Sequence, residues 1–457
     1  MTLESERWQE RLTRLAAEHR VVGASLAFRL GQEVGAVAAG VLNVRTGQPA
    51  TPASLFQVGS ITKVWTATLV MQLADEGLLE LDTPVREYLP EFRVADPVLT
   101  EGVTPRHLLA HTSGIDGDLF LDTGRGDDCL ARYVAAMSDL RANHPLGATM
   151  SYCNAGYIVL GRLVEVLRGR VWDDVLREQL LRPLGLHSAG TLPEEALLHG
   201  AAVGHHLLPD TDKQLVTPEW GLFRSCGPAG LVHSTASDQL ALTELHRAGG
   251  VTSDGARLLS AVSVDAMQEP QVGIPDPYSM GSHWGLGWIL SRWDGRRVIG
   301  HDGATLGQAA FLWLVPDSDV SVSLCTTGGN AADLFEALAG ELLGELAGIV
   351  MPSRPVPPDK QLDVDPARYV GRYAREGAEL VVSPSDDGLQ LSVRTTGPLA
   401  NSRPAMPPRQ LRALSEEILL SRAPGERSWT PVAFFDLDGE RYLHFGARAT
   451  RRVSPQV

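Results

Sequence analysis

Apolar residues recur along this chain with two different periods, and the alternation between those periods marks out its elements. Trp8, Leu12 and Leu15 fall on one side of a 3.6-residue repeat, so an amphipathic helix opens the chain. Runs at 24–30 and 34–44, joined by Gly31-Gln32, read as a β-hairpin. Helical spacing returns at Ile61, Val64, Thr68, Leu69 and Leu73 and opens a mainly helical stretch to about residue 200, with loops over 116–127. Residues 200–235 are irregular. Strand patterns follow at 284–290, 298–299, 309–315 and 320–325, and a helix is predicted over 331–346.

A break comes next. Residues 351–358 hold four prolines in eight positions, which makes a stiff linker. Beyond it the runs are short and alternate: 380–382, a turn at Asp386-Asp387-Gly388, then 389–393; later 433–436, a turn at Asp438-Gly439, then 442–445. The pattern predicts an α+β body over 1–350, a linker over 351–360 and a small antiparallel β-barrel over 361–457. No internal repeat or low-complexity tract interrupts it.

Charge narrows the partners. The formal net charge is −15, divided as −16 over residues 1–360 and +1 over 361–457. Such acidity argues against nucleic acid and against an anionic membrane surface. No run of 18 apolar residues exists to span a membrane. Residues 1–10 lack a basic segment followed by an apolar one, so no secretory signal is expected there. The cysteines, Cys129, Cys153, Cys226 and Cys325, are isolated in sequence, and reduced thiols in the cytoplasm fit them best. His205 and His206 are adjacent with no carboxylate at ligand spacing, so neither a metal nor another cofactor is expected.

The candidate chemistry begins at Ser60-Ile61-Thr62-Lys63. Lys63 is one of three lysines, with Lys213 and Lys360, in a chain that otherwise uses arginine. Arginine does not give up its proton in a protein, whereas a buried lysine can be shifted to act as a base. A serine at a helix start with a lysine one turn on sets Oγ and Nζ on one face. The plain alternative is a capping serine and a solvated lysine. Two later segments weigh against it: Tyr152-Cys153-Asn154 and His301-Asp302-Gly303.

In this order the three segments resemble the SxxK, YxN and K/H-x-G elements of the class C β-lactamase and D-peptidase/esterase superfamily. The flanks 81–92, 104–114 (TPRHLLAHTSG) and Gly285-Leu286-Gly287-Trp288 resemble it too, so the likeness covers about residues 5–350. It implies a serine β-lactamase/transpeptidase-like domain, an antiparallel sheet with helices on both faces plus a helical subdomain. Early and late strands would share that sheet. It also implies roles. Ser60 is the nucleophile, Lys63 its base, and Tyr152 shares the proton in a division left open. Asn154 would position Lys63 and the substrate amide. The backbone N–H groups of Ser60 and Ala304 would form an oxyanion hole, with Gly303 beside the substrate. Cys153, between two of these residues on an extended stretch, would point away.

His301 departs from the β-lactamases, which usually carry lysine there. A histidine is largely neutral near pH 7 unless a carboxylate raises its pKa, so the grip on a free substrate carboxylate is weaker. Esterase, D-aminopeptidase and thioesterase branches often carry histidine at this place. The C-terminal pattern resembles the lipocalin-like domain of some D-peptidases and of stand-alone penicillin-binding-protein-type thioesterases. That likeness implies a serine thioesterase that takes a peptidyl group from a peptidyl carrier protein onto Ser60. It would release the small peptide by head-to-tail cyclisation in nonribosomal peptide biosynthesis, with a D-residue at the acyl-donating end. The alternative is an intracellular D-stereospecific peptidase or esterase with the same site. A non-enzymatic binding module is a third reading, and the intact Ser60, Lys63, Tyr152 and Asn154 argue against it. Arg448, just past the run 442–445, is a candidate substrate-binding residue whose planar fork would hold peptide carbonyls or a carboxylate. The alternative for it is an ordinary surface arginine.

Overall fold

The computed structural model describes residues 5–208, 211, 213–396 and 406–454. The first four residues of the segment read for a secretory signal lie outside the described residues. The opening strands are β1 (Gly23–Leu30) and β2 (Glu33–Gly40), and then β3 (Phe56–Gln57) leads to the serine. The stretch read as irregular holds β4 (His205–Leu207), β5 (Gln214–Val216) and β6 (His233–Ser234). The late strands are β7 (Val272–Gly273), β8 (His283–Trp284), β9 (Ile289–Trp293), β10 (Arg296–Ala304), β11 (Gln308–Val315) and β12 (Val320–Thr327).

Eight of these form one sheet in the order β2-β1-β12-β11-β10-β9-β8-β7, which puts early and late strands side by side. The expected hairpin is present, with Gly23 opposite Gly40. Its second strand stops at Gly40, short of residue 44: Leu42 N–H turns to the Gln48 carbonyl and Gly47 N–H to the Asn43 carbonyl, closing a loop there. The run 284–290 is two strands rather than one. Gly285 N–H bonds the Trp288 carbonyl at 2.8 Å and closes a turn between them.

Alternation along the strands feeds two cores. Leu26 and Phe28 of β1, with Phe311 and Trp313 of β11, pack under the helices Ser5–Glu18 and Ala331–Ala347. Ala27, Ile299 and Leu312 face the other way, toward a core built from the Thr62–Asp75 and Asn154–Arg168 helices. Being covered on both sides, β12 is buried along its whole length rather than alternating. Among the described residues no helix is long and apolar enough to cross a membrane, and no His/Cys/Asp/Glu group is arranged to hold a metal. His205 is instead tied to Thr327 Oγ1 at 2.8 Å.

After the linker, eight strands close a barrel in sequence order: β13 (Gly371–Arg375), β14 (Ala378–Ser385), β15 (Gly388–Thr395), β16 (Arg409–Ala413), β17 (Ile418–Arg422), β18 (Thr430–Leu437), β19 (Glu440–Phe445) and β20 (Arg448–Ser454). Pairing of β13 with β20 completes the ring, which leaves no free edge. Tyr373, Leu391, Phe434 and Leu443 fill its interior.

Candidate active site

Ser60 lies in a single 3₁₀ turn, Gly59–Ile61, that feeds the Thr62–Asp75 helix. The turn is wedged against the end of β10. A Cβ on Gly59, whose φ is +51°, would stand 2.5 Å from Ala304 N, and one on Gly303 would stand 2.8 Å from Ser60 N. Only glycine permits this approach. It sets the Ser60 and Ala304 backbone side by side, the placement an oxyanion hole requires.

Lys63 is fully buried. Its Nζ donates to Ser60 Oγ at 3.1 Å and to the Ala229 carbonyl at 2.7 Å. It also lies 4.8 Å from the Tyr152 ring centre. Burial, and then the Arg448 charge, push its pKa well below the usual lysine range, with Asp118 opposing. A neutral amine beside Oγ reverses the direction of that hydrogen bond and can accept the serine proton.

Tyr152 is buried, and its hydroxyl completes no hydrogen bond of good geometry. Burial raises its pKa, while the Ser60 hydroxyl and the Arg448 charge pull the other way. The two hydroxyls are therefore neighbours without a formed bond. His301, on β10, gives its Nδ1–H to the Asp302 carbonyl at 2.6 Å, which leaves Nε2 unprotonated and without a partner. Burial and then Lys63 hold its pKa down at about 3. It is neutral at pH 7, so this strand position carries no cation.

Asn154 differs from expectation. Its Nδ2 donates to Asp118 Oδ1 at 2.9 Å, so its recorded partner is that carboxylate rather than Lys63. Cys153 does turn aside: its Sγ accepts from Gly156 N–H at the start of the Asn154–Arg168 helix. Arg448 lies just past β19, as expected, and opens the next strand, β20. Its Nε and Nη2 reach Asp118 at 2.9 and 3.0 Å, and Nη1 reaches the Gly446 carbonyl. The guanidinium fork expected to grip substrate is thus held by the protein, and its Cζ sits 4.8 Å from the Tyr152 ring centre.

Two residues not picked out in the sequence organise this cluster. Asp118 accepts from Asn154, Arg448 and, at 2.8 Å, Arg375 of β13. Burial pushes its pKa up, but Arg448 and Arg375 outweigh that and hold it at about 2. Its sequence reads as a loop, and nothing local marks it. His111 was visible only as part of the stretch 104–114. Its carbonyl accepts from Ser151 N–H at 2.9 Å and its Nδ1 from Cys153 N–H at 3.0 Å. Its ring stacks on Tyr152 at 4.3 Å. His111 therefore clamps Tyr152 on both flanks and one face, from a backbone at φ +58° that non-glycine residues seldom adopt.

The barrel enters the same site. Tyr152 N–H bonds the Ala447 carbonyl at 2.9 Å, Ala449 N–H bonds Ser151 Oγ, and Asn143 Nδ2 bonds the Ala449 carbonyl. A serine beside a lysine whose pKa burial lowers, a buried phenol, paired backbone donors and a cation held behind the phenol together suit nucleophilic acyl transfer.

Comparison with known proteins agrees with this geometry. The sequence profile of the Beta-lactamase family matches residues 8–344. "Penicillin-binding protein 4" of Amycolatopsis lactamdurans is 48% identical over 379 residues, covering 82% of this chain and 99% of that protein. The solved structure of SurE superposes with a TM-score of 0.78 at 29% identity, over 98% of this chain and 99% of that one; SurE has also been solved with D-Leu. A D-aminopeptidase of Brucella anthropi is 25% identical over 76% of this chain and 62% of its own length.

Proposed function

The chain belongs to the Beta-lactamase family, and from that premise we propose that it is a serine thioesterase that releases a nonribosomal peptide by head-to-tail cyclisation. The observation that carries this reading is the entry of the barrel into the serine site, where Arg448 reaches the Tyr152 ring from β20. Supporting it is the likeness to SurE over 98% of this chain, which extends through the barrel.

In this mechanism Lys63 takes the Ser60 proton as Oγ attacks the thioester carbonyl of a peptide carried by a peptidyl carrier protein. The Ser60 and Ala304 N–H groups hold the oxyanion. Collapse breaks the C–S bond, and the carrier thiol leaves with a proton relayed by Tyr152. The peptide's own amine then attacks the ester, gives its proton to Lys63 or Tyr152, and returns the serine hydroxyl as the macrolactam leaves. A neutral His301 fits an acyl donor that brings no second carboxylate next to the reacting carbonyl. Arg448 contributes as a fixed charge that keeps Lys63 neutral, rather than as a free fork. The SurE structure with D-Leu favours a D-residue at the acyl-donating end.

A second reading, hydrolysis by a D-stereospecific peptidase, is favoured by the D-aminopeptidase relative; it differs only in whether water resolves the acyl-enzyme. The test is a synthetic peptidyl thioester ending in a D-residue, followed by intact-protein and product mass. Wild type should give an acyl adduct and a cyclic product. Ser60→Ala should give neither. Linear product alone would leave the hydrolase reading standing, and an adduct on Ser60→Ala would remove the nucleophile assignment.

A further inference from the structure

The sheet face opposite Ser60 carries a second feature that the acyl-transfer chemistry leaves unused. Strand alternation sends His301 to the serine side and Asp302 to the other, level with Phe311 on β11. There a cavity of about 230 Å³ opens between β9, β10, β11, the start of the Ala331–Ala347 helix and the linker residues Met351 to Arg354. Its walls are aromatic. Trp293 and Trp313 stack at 5.1 Å, Phe311 stacks on Phe335 at 4.4 Å, and half-exposed Tyr278 stands on its rim.

Asp302 sits within this aromatic lining. One carboxyl oxygen accepts the Trp313 indole N–H at 2.8 Å. The lining cation, Arg354, is engaged elsewhere, with Asp333 at 2.9 Å and Glu336 at 2.7 Å. A carboxyl among aromatic rings without a cation is unfavourable, and packing alone does not call for it. Burial raises its pKa to about 7, with the Trp313 bond opposing. The other titratable groups lining the space are Glu336 on the helix, Arg354 on the linker and Tyr278 on the 277–281 loop; β9 and β11 contribute Ser291 and aromatic residues.

We propose that this cavity is a binding site for a small organic ammonium ion with an apolar body, its cation on Asp302 and its body between the aromatic faces. Ring faces attract cations, and the half-buried Asp302 carboxylate supplies the full opposite charge. The size agrees, because an apolar cavity of about 150 Å³ already holds benzene. The site is separate from the serine, yet one residue from His301: the Asp302 carbonyl is the group that orients the His301 ring.

The experiment titrates the full chain with benzylammonium chloride and, in parallel, with benzyl alcohol, by calorimetry and tryptophan fluorescence. The amine stays protonated between about pH 5.5 and 8.5, while Asp302 ionises across that range. Benzylammonium should therefore bind at least about tenfold more tightly at the upper pH, with a midpoint near 7, and benzyl alcohol should bind more weakly with no pH dependence. Asp302→Asn keeps an acceptor for Trp313 but removes the charge, so it should lose both the affinity and the pH dependence while melting as wild type does. Ser60→Ala should bind as wild type. Absence of binding at about 10 mM ligand, equal affinity for the alcohol, or unchanged binding by Asp302→Asn would overturn the proposal.

Discussion

Lys63 has Ser60 Oγ and a backbone carbonyl as its hydrogen-bond partners, burial lowers its pKa, and the proposed mechanism makes it the base. Lys63→Arg keeps the charge but cannot accept a proton, so its acylation rate should fall about 10²–10⁴-fold, nearly as far as Lys63→Ala. Single-turnover acylation by mass spectrometry separates the two variants. The sign of the Arg448 effect is testable on the same step. Arg448 lowers the Lys63 pKa, so Arg448→Met should raise it and move the acid limb of the acylation rate to higher pH. His111 offers a third residue-scale test. His111→Asn can accept from Cys153 N–H and tolerates a positive φ, so it should stay within about tenfold of wild type. His111→Ala should lose about 10²-fold in kcat with KM little changed, because Tyr152 is then misplaced rather than absent. Equal kcat for the Ala variant and wild type would reduce His111 to a packing residue.

At the scale of elements, the site depends on how closely the Gly59–Ile61 turn and β10 approach. Gly59→Ala places a methyl 2.5 Å from Ala304 N and 2.7 Å from its carbonyl oxygen, at a φ of +51°. The backbone strain alone is about 1–3 kcal/mol, and the clash is with backbone, which cannot swing aside. The variant should melt lower and acylate far more slowly, because the turn separates from the strand and the two N–H groups diverge. A low melting temperature with a normal acylation rate would show that the approach matters for packing only. The helix carrying Lys63 needs no such device: twelve of its fourteen residues are buried, which fixes its rotation.

At the scale of the whole molecule, Asp118 joins the two halves. It binds Asn154 within the catalytic body and both Arg375 and Arg448 of the barrel. Asp118→Ala leaves two guanidinium groups without their carboxylate in a largely buried interface, and breaking such a pair costs about 3–5 kcal/mol. Hydrogen exchange should rise across residues 143–152 and 442–449, which face each other through the Tyr152–Ala447 bond. Asp118→Asn, which retains acceptor and shape, should lose less. If exchange in those segments is unchanged in Asp118→Ala, the backbone bonds alone hold the barrel in place.

The sequence by itself determined what is local. The helix from Trp8 to Leu15 and the strand pairs around Gly31-Gln32 and Asp386-Asp387-Gly388 all follow from periodicity and turn chemistry. The Ser60–Lys63 pairing was legible for the same reason, since one helical turn sets both groups on one face. The large sheet is different. It joins β1 to β12 across some three hundred residues; the family resemblance implied that early and late strands share it, but no periodicity reports which distant strand is a neighbour. The partner of Asn154, the clamp that His111 makes on Tyr152 and the engagement of Arg448 by Asp118 are likewise tertiary facts. Each depends on two segments far apart in the chain meeting in space, and a lone Asp or His in a loop looks the same whether or not anything meets it. The same holds for charge. Lysine and histidine are ordinary ionisable groups in a sequence; burial lowered the Lys63 pKa and left His301 neutral, and burial is decided only when the chain has folded.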